Sequence, residues 1–122
     1  MIFLEESLHG DKLKTARRLF TKKIITSLPD VIITSNDLIA QGIISAAHEN
    51  GINIPNDMQI TGFDDLLSSA YFIPSVTTVS QNIDELAKRC FSMLMDLINK
   101  KSSVSSIIEQ NIIARNSAKI NI

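Results

Sequence analysis

Between Leu13 and Ile24 the apolar residues Leu13, Ala16, Phe20 and Ile24 recur every three or four positions, while Lys12, Lys14, Arg17, Arg18, Lys22 and Lys23 fill the other side. The spacing predicts an amphipathic helix from about Glu6 to Ile24 with one face on a core. Pro29 stops any helix that reaches it. The run Val31-Ile32-Ile33-Thr34 is short and β-branched, as in a strand covered on both faces. Ser35-Asn36-Asp37 then offers a helix N-cap with an acidic first turn, and Ile39, Ile43, Ala46 and Ala47 form a stripe that ends at Gly51. After loop punctuation over 51–57, Met58 to Phe63 reads as a strand running into Asp64-Asp65. Leu66 to Tyr71 can hold a short helix, Pro74 ends it, and Val76-Thr77-Thr78-Val79 is a third β-branched run.

The clearest helix follows, with Ile83, Leu86, Ala87, Cys90, Phe91, Leu94, Leu97 and Ile98 at helical spacing and Met93 and Met95 widening the apolar face. Asn82 with Glu85 behind it suggests an Asn-capped capping box, and Cys90 on the stripe reads as a small core hydrophobe. A Ser-rich link leads to Ile107–Arg115, which returns to strand character as a sheet edge or a bent strand. Strands alternating with helices predict an α/β domain, a mainly parallel sheet flanked by helices. Ligands of such sheets bind at the carboxyl ends of the strands. Those ends carry Ser35-Asn36-Asp37, Asp64-Asp65 and Ser80-Gln81-Asn82.

Composition narrows the chemistry. The chain has 122 residues, 44% of them hydrophobic, enough for one domain with a real core. With 12 Lys+Arg against 13 Asp+Glu the net charge is -1, so no global field points to nucleic acid or an anionic membrane. The basic residues from Lys12 to Lys23 read as the solvated side of a helix. One cysteine and two isolated histidines, His9 and His48, provide neither a disulfide nor a zinc site, and the chain calls for no metal or cofactor. No apolar run is long enough to span a bilayer and Glu5-Glu6 interrupts any signal peptide, so the expected compartment is the cytoplasm. Gly42 is expected at a close helix contact and Gly62 where backbone must approach closely.

Three polar clusters at three strand ends suit a polyol, whose adjacent hydroxyls can donate to carboxylates and accept from amides. No nucleophile accompanies them, and no enzyme is expected. A plainer alternative is that Asn36 and Asp37 only cap a helix and Asp64-Asp65 only start a turn. Asp64 and Asp65 could instead hold magnesium in a small metal-dependent α/β enzyme, although no phosphate-cradling glycine loop accompanies them.

The run from Pro29 to Gly42, followed in order by Ile54-Pro55-Asn56-Asp57, Ile60-Thr61-Gly62-Phe63-Asp64-Asp65, Tyr71-Phe72-Ile73-Pro74, Thr77-Thr78-Val79-Ser80-Gln81 and Ile112 to Ser117, resembles the LacI-type (lac repressor) family of bacterial transcription regulators. The resemblance implies the C-terminal subdomain of a periplasmic-binding-protein-like effector domain over 1–79 and 107–118. Residues 80–101 would be a crossing segment and a helix that packs on an N-terminal subdomain. It also implies that Asn36, Asp64 and Gln81 line the effector site with Phe3 stacking on the effector, that Gln41, Tyr71 and Phe72 form a homodimer interface, and that the effector is a sugar or small metabolite. DNA would be met only through a helix-turn-helix head that has no counterpart among these residues. A solute-binding lobe without a DNA role is the other binding-module reading. Met1-Ile2 leaves little chain for the strand expected before Phe3.

Overall fold

The computed structural model describes residues 2–4, 10–102 and 104–119, the first three by backbone alone. Three strands, β1 (Ile2–Leu4), β2 (Val31–Thr34) and β3 (Gln59–Thr61), lie side by side in that order and all run parallel. The register sets Ile32 between Ile2 and Ile60. A strand does form at the start of the chain, against expectation, because a parallel edge partner needs only the three residues that β2 can pair. Beyond β3 the sheet continues through a parallel bridge between Thr61 and Thr77, followed by β4 (Thr78–Ser80). Gly62 N–H donates to Thr77 O at 2.8 Å and Asp64 N–H to Val79 O at 3.0 Å, so the residues after β3 run alongside β4. β5 (Asn111–Ile113) returns antiparallel to β4, with Ile113 opposite Thr78.

Helix α1 (Lys12–Leu19) starts where Asp11 Oδ1 accepts from Lys14 N–H at 3.1 Å, later than the expected Glu6, and passes into a π-helical turn over Phe20–Ile24. Ala16, Phe20 and Ile24 are buried as their spacing requires. α2 (Asp37–Glu49) is the central helix, with Ile39, Ala40, Ile43, Ala46 and Ala47 fully enclosed. It lies close to α1 because Gly42 has no side chain: a Cβ there would stand 2.5 Å from Leu13 O and 3.0 Å from Ala16 Cβ. Ile32 and Ile60 of the sheet, Met58 and Val76 complete the core. The last segment is tied back by Ser117, whose hydroxyl donates to Ile60 O at 2.7 Å and accepts from Thr77 N–H at 2.8 Å.

The long helix α4 (Ile83–Ile98) buries none of its residues. Cys90 is exposed rather than part of a core, because the stripe it belongs to is not covered by any of the described residues. The expected capping box is also absent. Asn82 has φ 52°, a left-handed backbone that carries its side chain away from the first turn, and Glu85 pairs with Arg89 at 3.0 Å.

Candidate functional site

β2 delivers Asn36 to the carboxyl edge of the sheet. Its Oδ1 accepts from Ile39 N–H at 3.0 Å, the N-cap of α2. The side chain is 7% exposed, and its Nδ2 has no partner among the described residues. The capping reading is therefore correct for the oxygen, while the amide nitrogen keeps two donors for something else.

β3 delivers Asp64 and Asp65 to the same edge. Both have positive φ, 107° and 53°, so the chain turns sharply with side chains where glycine would be the easy choice. β4 brings Gln81 next to this turn, and Gln81 Nε2 donates to Asp64 Oδ1 at 2.6 Å. Two residues that lie 17 apart in sequence thus form one hydrogen-bonded pair, part-buried at the rim. Asp37 N–H donates to Phe63 O at 2.8 Å, which ties the start of α2, and Asn36 with it, to the residue before Asp64.

Beneath the rim lies Asp37, fully buried. Its Oδ2 accepts from Leu66 N–H at 2.8 Å and Ser69 Oγ at 2.7 Å, and its Oδ1 from Thr78 Oγ1 at 2.6 Å. Charge-assisted bonds to three elements make one support for the whole edge. A Cβ at Gly62 would collide with Asp37 Oδ1, so that glycine is what lets the carboxylate sit under β3. Asp65 is engaged by Arg115, Nη2 to Oδ1 at 2.6 Å. Among the described residues no group of three His, Cys, Asp or Glu side chains is arranged to hold a metal.

This architecture, polar residues at the carboxyl ends of adjacent parallel strands with an antiparallel β4–β5 pair beyond them, has known counterparts. A family model described as a periplasmic binding protein-like domain matches residues 4–118. The chain belongs to the periplasmic binding protein-like domain family. Among curated relatives, the HTH-type transcriptional repressor PurR of Pasteurella multocida is 35% identical over 95 residues, 76% of this chain and 28% of that protein. The chain thus spans under a third of that relative's length. The solved periplasmic binding ribose operon repressor protein of Lactobacillus acidophilus is 32% identical with a TM-score of 0.82, over 95% of this chain and 43% of that one. A LacI-type transcription regulator of Bifidobacterium animalis subsp. lactis is 26% identical with a TM-score of 0.75, over 89% and 39% of the two chains. The LacI-type resemblance and the α/β periplasmic-binding-protein-like fold both stand.

In this periplasmic binding protein-like domain the side chain of Phe3 and the whole of His9 lie outside the described residues. The three interface candidates part company. Tyr71, at the end of α3 (Leu67–Tyr71), is 79% exposed, whereas Phe72 is half-buried against the core. Gln41 is 3% exposed, and its Nε2 donates to Ser68 Oγ at 2.9 Å and Ser69 Oγ at 3.0 Å. It braces α3 from the side of α2. A groove of about 410 Å3 lined by Ile44, His48, Ile52, Ile54 and Ile73 lies at the far end of α2 from Asn36 and is no part of the rim. Among the described residues no helix is long and apolar enough to cross a membrane.

Sequence reasoning missed Arg115, Thr78 and Ser69 as supports of the rim. For the two hydroxyls no local signal existed, since their partner Asp37 lies 41 and 32 residues away. Arg115 carried one: it is the sole cation between Lys101 and Lys119, placed in a β-branched stretch where a charge needs a partner.

Proposed function

We propose that this domain is the effector-recognition part of a transcription regulator, and that Asn36, Asp64 and Gln81 grip a small hydroxylated molecule, a sugar or similar metabolite, at the carboxyl edge of the sheet. The observation that carries the reading is the 2.6 Å bond from Gln81 to Asp64. It leaves the second carboxylate oxygen of Asp64 to accept from a hydroxyl, the Gln81 carbonyl oxygen to accept another, and the Asn36 amide nitrogen to donate. Such a fan of donors and acceptors fits vicinal hydroxyls. No group in it is placed to attack a bond, so the reading involves no catalysis.

The relatives lend support, since they include a ribose operon repressor. In a full-length regulator, residues 80–101 act as the crossing segment and the helix that packs on a second lobe. The effector then stabilises closure of two lobes by its differential contacts with the closed form. DNA is contacted through a separate head, which places the protein in the cytoplasm. The same reading assigns a homodimer contact to the exposed apolar surface of Leu67, Tyr71 and Ile73.

The test is a titration of the isotope-labelled chain with D-ribose and a set of other pentoses and hexoses at millimolar concentration, followed by amide NMR. Resonances of Asn36, Asp64 and Gln81 should move together for at least one sugar, and those of Asn36 and Gln81 should stay put in Asp64→Ala. Sugars that move none of the three, or only residues of the groove around Ile73, would overturn it.

A further inference from the structure

The turn that carries Asp64 does not hold itself. Asp64 and Asp65 are consecutive side-chain-bearing residues with positive φ, an arrangement that persists only where surrounding contacts over-determine it. The residues on either side are tied to Asp37, through Phe63 O and Leu66 N–H at 2.8 Å each, and Asp64 N–H donates to Val79 O at 3.0 Å, but Asp65 N–H has only a 3.4 Å contact with Thr78 Oγ1. Among the described residues no cation pairs with Asp64, and the ion pair at this turn is that of Asp65 with Arg115.

Arg115 is built into the sheet on every side. Its Nη2 reaches Asp65 Oδ1 at 2.6 Å, its Nη1 reaches Val76 O at 2.9 Å, and its backbone N–H donates to Thr77 Oγ1 at 2.9 Å. The ion pair is part-buried, the side chains 18% and 26% exposed. The final segment does not need this arginine to stay in place, because Ser117 already pins it to Ile60, Ser75 and Thr77. What remains for the guanidinium is the turn.

We propose that Arg115 is a positioning residue: through Asp65 it fixes the left-handed turn that sets the Asp64 carboxylate on the Gln81 amide. The proposal rests on the reading of Asp64 and Gln81 as the effector-binding pair and adds the device that keeps them aligned before a ligand arrives. The planar fork reaches Asp65 from Nη2 and Val76 O from Nη1, two nitrogens in fixed geometry where a lysine has a single one. Arg115→Lys keeps the charge and loses the geometry, whereas Asp65→Asn keeps an acceptor and loses the charge.

The experiment reads the Gln81 side-chain amide protons in the ligand-free chain. In the parent they should be dispersed by the short bond to Asp64. In Arg115→Lys and Asp65→Asn they should collapse towards the free-amide position, while backbone resonances of α2 from Asp37 to Glu49 stay where they are. Unchanged Gln81 side-chain resonances in both variants would overturn the proposal, as would a general change that includes α2, the mark of a merely structural role. Arg115→Ala, which leaves the Asp65 carboxylate unpaired, should show the largest collapse if it folds; the two conservative variants decide the question if it does not. The separate D-ribose titration of the parent reports on the proposed function, so failure of one reading does not imitate failure of the other.

Discussion

Thr78 Oγ1 donates to Asp37 Oδ1 at 2.6 Å across 41 residues of chain, with both side chains buried. The bond joins the first turn of α2 to the strand that leads out to Gln81. Asp37 does the same for the loop after β3 and for α3, through Leu66 N–H and Ser69 Oγ. Gln41, one turn further along α2, adds a second tie to Ser69 at 3.0 Å. The rim residues are thus mounted on a buried polar network, and that network should be the costliest place in the chain to disturb.

Asp37→Ala should therefore destabilise the chain by about 3 kcal/mol, since each buried donor left without its acceptor costs ~1–3 kcal/mol. Asp37→Asn should cost about 2 kcal/mol, because the amide turns a donor toward groups that already donate. Urea denaturation measures both. A loss below about 0.5 kcal/mol for the alanine variant would mean that the three donors find other acceptors.

Gly62→Ala tests the same support from above. A Cβ at Gly62 meets Asp37 Oδ1, and at Gly42 it meets backbone at Leu13 O, so neither site has a flexible neighbour that can step aside. We expect about 1–3 kcal/mol of destabilisation for each, the usual cost of forcing atoms into a filled space. Their consequences should differ. Gly42→Ala separates α1 from α2 and leaves the rim alone, while Gly62→Ala should also displace the Asp64 and Gln81 resonances.

Asn36 has two separable duties. Asn36→Ala removes the N-cap of α2 and should cost about 1 kcal/mol. Asn36→Asp keeps an oxygen for Ile39 N–H and places a negative charge at a helix start, so its melting point should stay close to the parent's. It replaces the amide donor, however, and a sugar that uses that donor should bind at least about tenfold more weakly, the equivalent of one hydrogen bond. Equal sugar affinity in the parent and Asn36→Asp would confine Asn36 to capping.

The parts of the fold and rim that could be read in advance are those whose cause is local. Val31 to Thr34 is a strand because its β-branched run fits a covered sheet, and Asn36 caps α2 because its oxygen reaches three residues ahead. Asp64 and Gln81 could be placed at strand ends because strand ends are set by neighbouring residues. What escaped depends on distant partners. β1 exists because β2 offers an edge. Asn82 fails as a cap because the chain leaves β4 with Gln81 held on Asp64 and enters α4 through a left-handed residue. Gln41 is internal because Ser68 and Ser69 come over it from 27 and 28 residues away. Periodicity gave the apolar face of α4 correctly and could say nothing of what covers it.

That face yields the last prediction. Ile83, Phe91, Leu94, Leu97 and Ile98 are each more than half exposed, and they fall at helical spacing on one side of α4. Several hundred Å2 of such surface at ~25 cal/mol per Å2 corresponds to burial on the order of 10 kcal/mol that the described residues do not realise among themselves. Surfaces of that extent mark interaction sites or associate with one another. The chain should accordingly bind an apolar fluorescent dye and elute from gel filtration larger than a monomer as its concentration rises. The double variant Phe91→Lys, Leu94→Lys should lose most of the dye signal and of the concentration dependence. Its unfolding free energy should stay within about 0.5 kcal/mol of the parent's, because neither residue is buried. A parent that stays monomeric and dark in dye would mean that α4 folds back onto the domain, and the double variant would then lower stability by several kcal/mol, as burying two lysines in a packed face must.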